Sequence, residues 1–188
     1  MGTNYYLKLN ITPQQAILYH NINHTWYEYE NDILEISNGL LWNNKYYHDV
    51  ETLEKEYEYL IHIGKNSAGW HFSLCIYPEL EINNLDDWKE IFNNCIIVDE
   101  YNDVITSEEM LSIINKEYDK QNPRDEETEL KSINNFNDRL GYRLYDSYDD
   151  LLKDNSAERG LYGLWAHKYG DFTRTDGAYD LTKNWDFS

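Results

Sequence analysis

The sequence predicts an α+β fold, with an antiparallel sheet of hairpins in the N-terminal half and several short helices packed on one side. Three observations predict it. Apolar and polar residues alternate at period two in the opening residues and again on both sides of residues 66–69. Two-residue turn signals, Asn31-Asp32 and Asn38-Gly39, separate β-rich runs. Helix-start signals then appear in the middle of the chain, at Asn84 and at Thr106 with Glu109.

Taken in order, Tyr5, Leu7 and Leu9 alternate with Tyr6 and Lys8 as an opening strand. Residues 26–42 read as a three-stranded meander, because Asn-Gly supplies the two positive-φ positions of a tight hairpin. Residues 50–59 are rich in Glu, Leu and Lys and read as a short helix capped by Asp49. A four-residue loop at 66–69 then sets Lys65 opposite Trp70. That register places Ile63 against Phe72, Ile61 against Leu74 and Tyr59 against Ile76 on an apolar face. The other face pairs Gly64 with His71, His62 with Ser73 and Leu60 with Cys75, making His62 and His71 diagonal neighbours roughly 7–8 Å apart.

Asn84 caps a helix over 85–92, with Asp86 and Asp87 in the first turn where the helix dipole favours acids. Residues 96–98 and 104–105 form a hairpin about Asn102-Asp103, and Thr106 with Glu109 opens a helix running to about 118. The charged run at 121–129, with Pro123, is the best candidate for a flexible link. Leu130, Ile133, Phe136 and Leu140 mark another helix, stopped by Gly141. Short strands and ordered loops are expected beyond 142, all within a single domain over 1–188.

Charge limits the function classes. Thirty-five acidic residues against sixteen basic ones give a formal charge of -19, which repels a phosphate backbone and argues against broad nucleic-acid binding. The same field favours a protein with a basic surface. Cys75 and Cys95 are too few for a disulfide framework or a four-thiolate zinc site, so both are expected as reduced thiols. No basic leader and no apolar run of ~18 residues is found, so a cytoplasmic chain without a membrane span is expected.

Two candidate surfaces emerge. Residues 79–129 hold sixteen acids and four bases, twelve of the nineteen net negative charges. They form either solvated helix faces or an acidic binding face, with Asp99, Glu100, Glu108 and Glu109 as charges and Trp88, Tyr101 and Tyr118 as aromatic anchors. His62, Lys65, Ser67 and His71 are the second set, at the mouth of the hairpin. They form either an anionic-ligand site of nucleotide type or the polar second face of a covered sheet. The string at 62–69 lacks the spacing of a P-loop. His20 and His24 have metal-ligand spacing only on a helix, which their surroundings do not favour. Asp99 and Glu100 point to opposite faces of a strand, so no acid/base pair and no catalytic residue is nominated.

Four strings occur together: Met1-Gly2-Thr3-Asn4-Tyr5-Tyr6-Leu7; His62-Ile63-Gly64-Lys65-Asn66-Ser67-Ala68-Gly69-Trp70; Asp99-Glu100-Tyr101 with Thr106-Ser107-Glu108-Glu109-Met110; and Gly177-Ala178-Tyr179-Asp180-Leu181 with Phe187-Ser188. In this respect the chain resembles a family of small bacteriophage and prophage proteins without an assigned activity. The resemblance implies a viral origin and a place in the host cytoplasm. With the acidic face, it suggests a protein that binds and inhibits a host component of antiviral defence or nucleic-acid processing. The family also implies zinc, through a Cys-x-x-Cys before the His62 block and Cys/His residues near the C-terminus. Here residues 26–47 stand in place of that Cys pair and residues 160–177 keep only His167, so no metal or other cofactor is expected.

Overall fold

The computed structural model describes residues 2–11, 57–168, 172–175 and 177–183, and the fold is α+β. The expected meander at 26–42 and most of the helix expected at 50–59 lie outside these residues. The end of that helix is corrected, because residues 57–59 already belong to a strand.

Strand β1 (Gly2–Ile11) pairs antiparallel with β2 (Tyr57–Ser67) on one side and with β4 (Ile96–Asp99) on the other. β4 turns back into β5 (Val104–Ile105), and β2 into β3 (Phe72–Cys75). β3 then pairs in parallel with β9 (Tyr179–Thr182), which pairs antiparallel with β8 (Phe172–Arg174). The order is β5-β4-β1-β2-β3-β9-β8, a mixed sheet rather than a purely antiparallel one. The exception arises because β9 arrives from far along the chain and needs no hairpin. A second, two-stranded sheet joins β6 (Ala157–Arg159) to β7 (Trp165–His167).

The 62–76 hairpin keeps its apolar set but not its expected register. Gly64 lies opposite Leu74 and Lys65 opposite Ser73, three residues from the pairing that a loop at 66–69 would give. Trp70 and His71 have been captured by the second sheet. The His71 N–H donates to the Trp165 carbonyl and the Trp165 N–H to the Gly69 carbonyl, both outside the β2–β3 ladder. Gly64 permits the closest strand approach, since a Cβ there would lie 2.1 Å from the Ser73 carbonyl oxygen.

Helix α1 (Leu85–Phe92) starts at a capping box of Asn84 and Asp87 and buries Leu85, Trp88 and Phe92. Helix α2 (Ser107–Ile114) starts at the box of Thr106 and Glu109 and buries Met110 and Ile114. It ends earlier than expected: Lys116 takes a left-handed φ of 53°, and a short α3 (Glu117–Gln121) begins after it. Helix α4 (Glu126–Leu140) is capped by Asp125 and closed by Gly141, whose φ is 69°. Helix α5 (Tyr148–Asp154), capped by Ser147, occupies a region expected to hold only strands and loops.

The main core gathers Tyr5, Leu7, Ile61, Ile63, Phe72 and Leu74 from the sheet with the buried faces of α1 and α2. A second cluster joins Tyr148, Leu151, Leu152, Ala157 and Trp165, with Leu130 and Ile133 of α4 packed on it. The 121–129 segment crosses between them, and Arg124 there donates its N–H to the Tyr162 carbonyl and pairs with Glu129 at 3.2 Å. Among the described residues, no helix is long and apolar enough to cross a membrane.

Candidate functional site

The β4–β5 edge is built by a self-closing turn. Asp99 Oδ1 accepts the N–H groups of Tyr101 and Asp103, both at 2.9 Å, and Asn102 takes the left-handed φ of 68° that the reversal requires. Glu100 is tied to β1: its Oε2 accepts the Asn4 N–H at 3.2 Å and Asn4 Nδ2–H at 2.9 Å, while its own N–H donates to the Asn4 carbonyl. Lys8 Nζ reaches Asn102 Oδ1 at 3.4 Å.

The turn spends one acid on its own backbone and leaves the others outside. Tyr101 is 74% exposed, Val104 71% and Ile96 52%, with Glu100, Asp103 and Glu108 also exposed. Period-two alternation puts Ile96 on the sheet face of Val98, opposite which Val104 stands. The edge thus carries apolar and aromatic side chains within an acidic rim. The Tyr101 phenol is held above its ordinary pKa, first by hydrogen bonding to Glu100 and then by that residue's charge, so it remains neutral and able to donate.

The remaining expected anchors are divided. Trp88 is wholly buried in the main core, its Nε1–H donating to the Cys75 carbonyl at 2.8 Å, so it does not stand on the surface. Glu109 is committed to the cap of α2, accepting from the Thr106 N–H and hydroxyl. Tyr118 is 76% exposed on α3.

The residues expected at the hairpin mouth are engaged separately. His62 is buried, with Nε2 3.2 Å from Asn4 Oδ1 and Nδ1 3.4 Å from Cys75 Sγ. Burial, then the Lys65 charge, lowers its pKa to about 4 against an opposing hydrogen bond to the Gly64 backbone, and burial raises the Cys75 thiol to about 12. Thiol, imidazole and carboxamide stand in the order used by cysteine hydrolases. Yet the sulfur is buried and protonated, and a thiolate nucleophile is not provided. Lys65 is half-buried, and the Ser67 carbonyl accepts from buried Lys116 Nζ at 3.1 Å. Burial lowers the Lys116 ammonium to about 8.

His71 turns to the other end of the sheet. Its Nδ1 meets Asp180 Oδ1 at 3.0 Å, with both side chains buried, and the second Asp180 oxygen accepts the His167 N–H at 3.4 Å. Among the described residues the His71 Nε2 has no hydrogen-bond partner, and it faces Gly160, where a Cβ would come within 2.3 Å. An orienting carboxylate and an imidazole are present, but a backbone occupies the place a nucleophile would need. Among the described residues, no three His, Cys, Asp or Glu side chains are grouped to hold a metal ion.

No known protein family, curated protein or solved structure matches this chain.

Asn4, Cys75 and Asp180 are the participants that sequence reasoning did not place in a site. Asp180 gave a signal, since it is an acid within an alternating strand-like run at 178–182. Asn4 gave none, because its partners lie 58 and 96 residues away.

Proposed function

We propose that this chain is a bacteriophage-encoded protein of the host cytoplasm that binds, and by binding inhibits, a host protein with a basic surface, acting in antiviral defence or nucleic-acid processing. One observation carries the binding half: Tyr101 and Val104, each more than 70% exposed, stand within an acidic rim on a sheet edge. Large exposed aromatic and aliphatic side chains inside a charged rim are the composition of protein interfaces, and the charge favours a cationic counterpart. The sequence resemblance to phage proteins supports the viral origin, and the inhibitory role follows from that origin taken together with the acidic edge. The ligand site considered at His62, Lys65, Ser67 and His71 has less support, since its two imidazoles are buried against different partners.

The test is affinity capture from host lysate with the wild type and with a Glu100→Gln/Tyr101→Ala variant. The expected result is a host protein retained at low salt, released at high salt and lost with the variant. Equal retention by the variant would contradict the proposal.

A further inference from the structure

A hydrogen-bonded chain runs from the buried thiol to the acidic edge, and chemistry fixes its direction. Glu100 Oε2 lies 2.9 Å from Asn4 Nδ2, and a carboxylate can only accept, so the Asn4 amide directs its NH₂ to Glu100 and its Oδ1 to His62. Asn4 Oδ1 also only accepts, so His62 Nε2, 3.2 Å away, carries the proton. A neutral imidazole protonated there has a bare Nδ1. That nitrogen faces Cys75 Sγ at 3.4 Å and takes its S–H. Every donor therefore points toward one terminal charge, an arrangement in which each bond polarises the next.

We infer that Asn4 is a positioning residue that holds Glu100 ready for a cationic side chain of the partner, and that Glu100 in turn fixes the tautomer of buried His62. The first half rests on the edge being the binding surface; the second does not. Glu100 is exposed, and an exposed glutamate ordinarily loses rotamer freedom when it binds. Here two donors from Asn4 already hold one carboxylate oxygen, so part of that ordering precedes binding.

Two measurements on the full chain separate the halves. Ring-nitrogen NMR of ¹⁵N-histidine protein is expected to find His62 as the Nε2–H tautomer. In Glu100→Gln a tautomer mixture should appear, because glutamine can donate as well as accept and lets the Asn4 amide turn over. Wild-type His62 protonated on Nδ1, or ring nitrogens unmoved by Glu100→Gln, would overturn the relay. The second measurement is binding of a fluorescein-labelled nona-arginine peptide at ~0.15 M salt. Asn4→Ala and the similar-sized, uncharged Asn4→Leu, neither of which offers Glu100 a side-chain donor, should each weaken it by about tenfold. Glu90→Gln, an exposed acid on α1, should leave it unchanged. If Glu100→Gln weakens the peptide and neither Asn4 variant does, the positioning role fails and the binding edge stands. If Glu100→Gln and Tyr101→Ala both leave binding unchanged, the binding edge itself fails.

Discussion

The β4–β5 edge and the β2–β3 hairpin are both antiparallel pairs reversed by a polar turn, but they dispose of charge in opposite ways. At the edge, Asp99 satisfies the N–H groups of its own turn, and Glu100, Tyr101 and Asp103 are left facing solvent. At the hairpin, the segment after the turn is drawn onto Trp165, and His62 and His71 go inward to partners 58 and 109 residues away. A turn closed by local bonds leaves its side chains for another molecule. A turn captured by a distant strand has its polar groups consumed by the fold.

The largest expected effect tests the inward half of that comparison. Asp180→Ala takes away the acceptor of the buried His71 Nδ1 and of the His167 N–H and should cost about 2–5 kcal/mol in urea unfolding, at ~1–3 kcal/mol for each donor left unsatisfied. A cost under ~1 kcal/mol would mean that the pair is not consumed by the fold as described. Next in size is a pH effect. His62 stays neutral in the folded chain down to about pH 4, whereas the unfolded chain takes up a proton below 6.5. Stability should therefore fall as pH drops from 6.5 toward 4, with His62 supplying about 3 kcal/mol of the loss. A His62→Leu variant should show a shallower decline over the same window; an equally steep one would assign the loss to other groups.

At the edge, the expected change lies in binding rather than folding. Tyr101→Ala should weaken a captured partner by about tenfold or more while leaving the unfolding midpoint where it was. A shifted midpoint with unchanged binding would move Tyr101 into the structural class. The smallest effect is local: Asn84→Ala removes the acceptor for the Asp86 and Asp87 N–H groups and should cost about 1 kcal/mol without touching either surface.

The parts of this fold legible in the sequence are those decided within a few residues. The caps at Asn84, Thr106 and Gly141, the opening strand and the 96–105 hairpin all rest on local donors, acceptors or backbone conformations. Ser147 followed by Asp150 carries a similar signal for α5, set among aromatic residues whose composition favours strands and loops. Lys116 did not announce its left-handed conformation, because its buried ammonium reaches Asn66 and Ser67, about fifty residues earlier. The hairpin register and the parallel β3–β9 pairing required Trp165 and Asp180, whose positions no local pattern supplies. Trp88 shows the same limit from the other direction. Its spacing with Leu85 and Phe92 marks a core stripe, and the acidity of the surrounding segment drew it to the surface instead.

The most direct test of the central claim compares one variant from each region in the same capture experiment. Glu100→Gln/Tyr101→Ala substitutes two exposed residues of the edge, and Lys65→Gln substitutes one at the hairpin mouth. Partner retention lost with the edge variant and kept with Lys65→Gln is the predicted result; retention lost with Lys65→Gln and kept with the edge variant would contradict it.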